Sequence, residues 1–509
     1  MDIWDRSAFG GGDSGAGAMW QSVLTDLWWG DVARSAFLRE LQGAAGAGAL
    51  SIKFNVDGYN MDPRSPEFTR GRIVGTIGPA AEGEPRHFVR GRQFLTTGLP
   101  DGRFFAPAGR INVFAAVLDR EAGKVRLDLG NALPTARPGG DPSDVGPLSL
   151  VGIIGPTSGT TTVLPLGDIP YSVPGWYEKT AGLVDLPAGR RLSEAEVDAL
   201  GENPLEVRRP GPDGTPTTVI AESPGGLFVR ADQFVFRLDP GETADVELHA
   251  TRFGLAYEGA NVLAFRDPAL LRVQASSPLG DAPPVAIPAG AIDFPARVMT
   301  DAKGVAILKI KAGKPENPRG YIDGQVYGVR VALEETLAPS LAYPFHRWLF
   351  VSLLVFDAFK PDRPTTWHGS MRAIFQQYAN LYPVMKQFLD LGSYEDVREH
   401  RDLLAMVFGL DPTDPNAMPV TRDLSKAKRE AILDWLKGEP PLEGRPPRRR
   451  KGVPEPVAPS AAPPAAPVEG RLSPGGKSVA ADDQTVGVLA LGGGDWWDEP
   501  TSKWRGYTT

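Results

Sequence analysis

The 509 residues carry 54 Lys and Arg against 62 Asp and Glu, a formal net charge of −8, with 42% apolar residues. That length allows roughly two to four domains with sizeable cores, and the mild acidity supports solubility and argues against general affinity for nucleic acid. The lack of any cysteine excludes disulfides, Cys-ligated zinc or iron–sulfur centres, a thiol nucleophile and thioether-linked haem.

The first stretch has acids at its start and no apolar core of a leader, so no secretory signal is expected and a cytoplasmic location is the default. Residues 1–48 read as a loose Gly-rich segment followed by a helix over "WQSVLTDLWWGDVARSAFLRELQGA", whose apolar residues recur near helical spacing. Residues 49–220 change texture. Short Val/Ile/Phe runs such as "RIVGTIG", "RINVFAAVLD" and "LSLVGIIG" alternate with Gly/Pro turns, the pattern of antiparallel sheets. The 59 Gly and 49 Pro residues point the same way.

Residues 221–340 read as an immunoglobulin-like β-sandwich. "TDAKGVAILKIKA" places a turn before a strand with Val305, Ile307 and Lys309 on one side and Ala306, Leu308 and Ile310 on the other. "GQVYGVRVAL" is a second strand. The pair resembles the closing strands of bacterial immunoglobulin-like modules, which bind or space more often than they catalyse. The most apolar run, "RWLFVSLLVFDAF", is too short for the ~20 residues a membrane-spanning helix needs.

Residues 341–437 read as a three-helix module. Ser370 is placed to cap a helix through "MRAIFQQYANLYPVMKQFLDL", which Pro383 should kink or end. Ser393 caps a second helix that stops near Gly409, and "LSKAKREAILDWLKG" is an amphipathic third. Residues 438–480 are a Pro/Ala-rich linker expected to stay extended, with a basic knot at Arg448, Arg449, Arg450 and Lys451. Residues 481–509 form a tail whose Trp496, Trp497, Trp504 and Tyr507 are candidate anchors for a protein partner. The fold class expected is therefore mostly β with a small helical domain and a disordered Pro-rich C-terminal tail.

Motifs for chemistry are sparse. No P-loop and no G-x-S-x-G elbow occur, and "GIIGPTSGT" lacks the strand–helix context of a dinucleotide site. The five histidines (His87, His249, His346, His368, His400) include no helical i, i+4 pair. No metal is expected. "AMPVTRDLSKAKREAILDWL" follows the order Met-Pro, Leu-Ser, helix that closes cytochrome-c-like modules, which it resembles locally. There the Met is an axial iron ligand and a Cys-x-x-Cys-His run holds the haem. Here "QYANLYPVM" puts Tyr378 and Tyr382 where that run would be needed. The expectation is an aromatic core with no cofactor. The alternative is a non-covalent haem at His368, His400 or Met418, with Tyr378 and Tyr382 beside it.

A longer resemblance joins several segments in order: "FNVDGYNMDPRSPEFTRGRIVGTIGP", "AGKVRLDLGNALP", "LPLGDIPY", "GWYEKTAGLVDLP", "GGLFVRADQFVFRLDPGE", "YANLYPVMKQFLDLGSYEDV" and "DPNAMPVTRDLSKAKREAILDWL". Over residues 45–437 the chain resembles the non-ferritin part of the iminophenyl-pyruvate dimer synthases, also called chromopyrrolate synthases, of the violacein and rebeccamycin pathways. Those enzymes continue into a ferritin-like domain suited to iron, whereas only linker and tail follow residue 437 here. "EDVREH" sets Glu395 and His400 five apart, with Arg398 in the place a Glu-x-x-His pair would need for its histidine. No catalytic residue of the family carries over.

The resemblance implies an accessory scaffold acting with a separate, ferritin-like oxidative partner in specialised metabolism. A stand-alone oxidoreductase or imine-coupling enzyme is the alternative, with His346, His368, Tyr378, Tyr382, Met418 and Arg422 to test. A structural β-rich binding protein is the third reading.

Overall fold

The computed structural model describes residues 2–5, 16–46, 48–59, 66, 71–95, 111–130, 132–134, 140–155, 161–211, 213–268, 285–316, 323–338, 350–357 and 359–446. His346, the basic knot and the tail with Trp496, Trp497, Trp504 and Tyr507 lie outside the described residues. The architecture is mostly β with a small helical region near the C-terminus, as the sequence predicts.

The first sheet has four antiparallel strands in chain order: β1 (Asp2–Asp5), β2 (Ala16–Leu24), β3 (Leu50–Tyr59) and β4 (Arg72–Pro79). The helix expected over 20–44 is confined to α1 (Ala36–Ala45), capped by the Ser35 hydroxyl, which accepts from the Leu38 amide. "WQSVL" is strand instead. Cross-strand pairing decides it: Trp20 lies opposite Phe54, their rings stacked with centroids 5.0 Å apart.

The second sheet is built from β5 (Arg92–Leu95), β6 (Phe114–Asp119), β7 (Lys124–Asp128), β8 (Ser149–Ile154), β9 (Thr162–Asp168), β10 (Leu183–Leu186), β11 (Leu205–Pro210) and β12 (Pro216–Glu222). Its spatial order is β10-β7-β6-β5-β12-β11-β8-β9. Leu127, Leu150, Val207 and Ile220 are buried on it, together with Trp176 and Tyr177 of α2 (Trp176–Thr180) and Val197 and Leu200 of α3 (Glu194–Glu202). Arg92 of β5 and Glu222 of β12 form a fully buried ion pair in this layer. Nε donates to both carboxylate oxygens at 3.0 and 3.1 Å, and Nη1 and Nη2 reach the Leu200 and Asn203 carbonyls at 2.6 Å.

The described residues between 227 and 356 form a two-sheet sandwich. One sheet holds β13 (Leu227–Ala231), β15 (Thr243–Arg252), β16 (Leu255–Ala256), β18 (Ile292–Asp293) and β20 (Val305–Ala312). The other holds β14 (Val235–Leu238), β17 (Asn261–Arg266), β19 (Arg297–Met299), β21 (Gly324–Leu333) and β22 (Phe350–Phe356). A single core of Val246, Leu248, Leu308, Val329, Leu353 and similar residues fills the space between. The alternation expected for residues 305–310 is present: Ala306, Leu308 and Ile310 are buried. β20 and β21 lie in opposite sheets.

Two boundaries shift. "FVSLLVF", placed within 341–437, is β22. It pairs antiparallel with β21 and parallel with β14, so it completes the sandwich and the helices begin at residue 367. They start with a π-helical turn, Trp367–Met371, leading into α4 (Arg372–Leu381). Thr366, not Ser370, is the cap: its hydroxyl accepts from Gly369 N at 3.0 Å, while buried Ser370 Oγ accepts from Asp362 N. α4 stops before Pro383, as expected. The second helix is broken at His400 into α5 (Tyr394–Glu399), capped by Ser393, and α6 (Arg401–Gly409); α7 (Lys426–Leu436) starts at Ser425. Among the described residues no helix is long and apolar enough to cross a membrane.

Candidate functional site

The residues singled out in the helical module are used by its packing. Trp367, Phe375 and Trp435 form one aromatic core, with ring centroids 5.6 to 6.1 Å apart, and Tyr394 packs tilted at its edge. Tyr378 is buried beside it and donates to Asp423 Oδ1 at 3.2 Å. Burial, reinforced by the Asp423 charge, pushes its phenol well above the ordinary range. Tyr382 stacks on Tyr378 at 6.4 Å and reaches Thr421 Oγ1. The structure brings these two tyrosines together, and Met418 packs at the edge of the same core, while His368, His400 and Arg422 are not part of it.

His368 faces Glu443, 3.5 Å from Nε2 to Oε1, in the segment that leaves the module. His400 sits at the α5–α6 break with Nδ1 2.9 Å from its own helix's Asp396 carbonyl. Met418 hangs its backbone N–H on the Val407 carbonyl and packs half-buried at the edge of the core. Arg422 staples the same loop by donating to the Pro412, Asp414 and Pro419 carbonyls at 2.6 to 2.9 Å. Among the described residues no group of three or more metal-ligating side chains converges.

The polar concentration lies elsewhere, where the segment 80–91 leaves the first sheet and crosses to the second. Antiparallel register sets Gln21 of β2 opposite Lys53 of β3, and Lys53 opposite Thr76 of β4. Side chains alternate along strands, so these three share one face, while Trp20 and Phe54 take the other. The row forms a wall of a cleft of about 300 Å³ that Ser51, Glu82, Glu84, Arg90 and Asp128 also line. Lys53, 8% exposed, is ion-paired with Asp128 at the end of β7. Glu84 accepts from the Ser51 hydroxyl, from Gln21 Nε2 at 3.2 Å and from the Ala81 amide at 3.0 Å.

Next to the cleft, Arg90 reaches into the sandwich. Its Nη2 lies 3.1 Å from Nδ1 of His249, which is 1% exposed. A guanidinium only donates, so Nδ1 accepts and the ring proton sits on Nε2, 2.7 Å from Glu247 Oε1. Phe88 packs edge-on against the ring, and Asp232 lies nearby, bound to the His87 amide. Burial, aided by the Arg90 charge and opposed by Glu247, holds His249 below its ordinary pKa of 6.5. The unfolded chain therefore takes up this proton more readily than the folded one. Stability contributed by neutral His249 is present above pH 6.5 and declines as pH falls through that value. The thermal transition of the sandwich, followed from pH 7.5 to 5, is expected to show a falling midpoint, and the fall should flatten in His249→Asn. A midpoint equally steep in both proteins would contradict this assignment.

Neither the cleft nor the histidine was found from the sequence. The partners come from separate stretches, Arg90 and His249 being 159 residues apart. The one signal present was the alternation of Gln21 and Lys53 with aromatic neighbours on paired strands.

No protein-family model matches the chain, and no curated protein does. Among solved structures, Bacteroides thetaiotamicron EndoBT-3987 with Man5GlcNAc product is similar over 26% of this chain and 33% of that one, at 13% identity and TM-score 0.20. A two-domain Bacteroides fragilis protein of unknown function is similar over 26% and 45%, at 12% identity and TM-score 0.19. Domains 4 and 5 of the S-layer protein SbsC are similar over 41% and 97%, at 9% identity and TM-score 0.16. This chain thus spans about a third of EndoBT-3987. Likeness of this extent carries no functional argument.

Proposed function

We propose that this chain is an accessory scaffold that acts with a separate protein partner, a ferritin-like oxidase in specialised metabolism, and does not catalyse alone. The role is the one implied by the resemblance to the non-ferritin part of the imine-dimer synthases. The observation that supports it is α6. Leu404 and Phe408 are buried in the aromatic core, yet Leu403 and Met406, one turn apart, are 50% and 58% exposed. The bond from Met418 N to Val407 O holds the next loop beside the helix end, and Val420 there is 62% exposed. Leu403 and Met406, beside exposed Asp402, leave apolar side chains on the uncovered side of α6, which supports a surface open to association.

The test is affinity purification of the full chain from its native host, compared with a Leu403→Glu/Met406→Glu double variant by quantitative mass spectrometry. The scaffold reading expects one protein recovered in near-stoichiometric amount with the wild-type chain and lost with the variant. No stoichiometric companion, or equal recovery with both chains, would sink it.

A further inference from the structure

The cleft between the first two sheets has a feature its own side chains do not satisfy. Gln21 is 9% exposed, and its Oε1 is buried without a hydrogen-bond partner among the described residues. Its orientation is fixed. The other end of the amide must be Nε2, because it faces the Glu84 carboxylate, which can only accept. The Ser51 hydroxyl proton is spent on the same carboxylate, so Ser51 Oγ accepts from Gln21 Nε2 at 3.0 Å and has no proton left for Oε1. A buried acceptor left unpaired is costly, so the position is a liability unless something fills it.

The walls decide what that something is. Glu82, Glu84 and Asp128 face the cleft against Lys53 and Arg90, so the cations do not outnumber the carboxylates and an anion gains little. The carboxylates are themselves engaged: Glu84 as above, Asp128 by Lys53 and the Gly130 amide, and Glu82 by Lys303 at 3.1 Å. A cationic ligand would have to displace these partners and approach past Lys53 and Arg90, which line the same cleft. What remains is a row of polar side chains in register on three adjacent strands: the Gln21 acceptor, the Lys53 ammonium with protons beyond the one on Asp128, and the Thr76 hydroxyl. Strands in such a row are about 4.8 Å apart. A row that needs a donor at one end and offers donors beside it matches groups that do both, which are hydroxyls.

We propose that this cleft binds a small neutral polyhydroxylated molecule, of the size of one sugar or cyclitol ring, along the Gln21–Lys53–Thr76 row. A volume of about 300 Å³ is at the small end for a ligand site and suits one ring. The site is independent of the scaffold role: it involves neither α6 nor the helical module.

The test is saturation-transfer difference NMR on the full chain with D-glucose, D-mannose, D-galactose and myo-inositol, and with inorganic phosphate and choline as charged counter-probes. At least one neutral probe should receive saturation. Gln21→Leu should weaken it about tenfold, the loss expected for one buried hydrogen bond. Thr76→Val, at an exposed position, should weaken it with no change in melting temperature, and it decides the matter alone if Gln21→Leu does not fold. No transfer to any neutral probe, transfer that the variants retain, or stronger binding of phosphate or choline would overturn the proposal.

Discussion

Replacing Glu222 with alanine is expected to destabilise the eight-stranded sheet by about 3–5 kcal/mol, the cost of leaving one partner of a buried ion pair uncompensated. Arg92 and Glu222 are 1% and 5% exposed. With the carboxylate gone, the guanidinium keeps only the Leu200 and Asn203 carbonyls and the face of Phe253, 5.4 Å away, none of which neutralises it. The Leu205 amide also loses its acceptor, Glu222 Oε2 at 3.2 Å. The chain has several cores, so a single global midpoint would blur the effect. Hydrogen exchange resolves it: amides of β5, β11 and β12 should lose protection, while those of β20 and β21 keep theirs. Arg92→Met/Glu222→Leu, which removes both charges, should lose markedly less. Equal losses in the single and double variants would show that the shape of the site, not the stranded charge, sets the cost.

Trp435→Ala should unfold the helical module, at about 3–5 kcal/mol for a buried aromatic truncated to alanine. Trp435 is 4% exposed and contacts Trp367, Phe375 and Tyr394. Its indole N–H donates to the Leu442 carbonyl at 2.9 Å, the same oxygen that accepts from the Trp367 amide. The truncation therefore opens a cavity and loosens the segment that closes the module. Near-ultraviolet circular dichroism should lose the signal of the coupled tryptophans, with the sandwich transition left in place. Trp435→Phe keeps most of the packing and should cost less. An unchanged signal in Trp435→Ala would contradict the aromatic-core assignment of "QYANLYPVM" and its neighbours.

Local signals in the sequence were legible where one residue decides a local geometry. Ser393 caps its helix, Pro383 ends another, and the alternation through Ala306, Leu308 and Ile310 gives the buried face of β20. The readings that failed depend on distant partners. "WQSVL" has near-helical spacing but is strand, because pairing with β3 buries its backbone groups and stacks Trp20 on Phe54. Ser370 has a cap's side chain, yet Thr366 reaches the open amide first. "FVSLLVF" looked like an isolated apolar run until β14 and β21 supplied neighbours on both sides. The cleft was invisible for the same reason: Gln21, Lys53, Glu84 and Asp128 meet only through sheet register and the crossing of residues 80–91.

If the chain is a scaffold and not by itself a redox catalyst, as proposed, the purified 509-residue protein should be colourless in an ultraviolet–visible spectrum and carry metal well below one equivalent. A Soret band or stoichiometric iron would contradict that role and direct mutagenesis to His368, His400 and Met418.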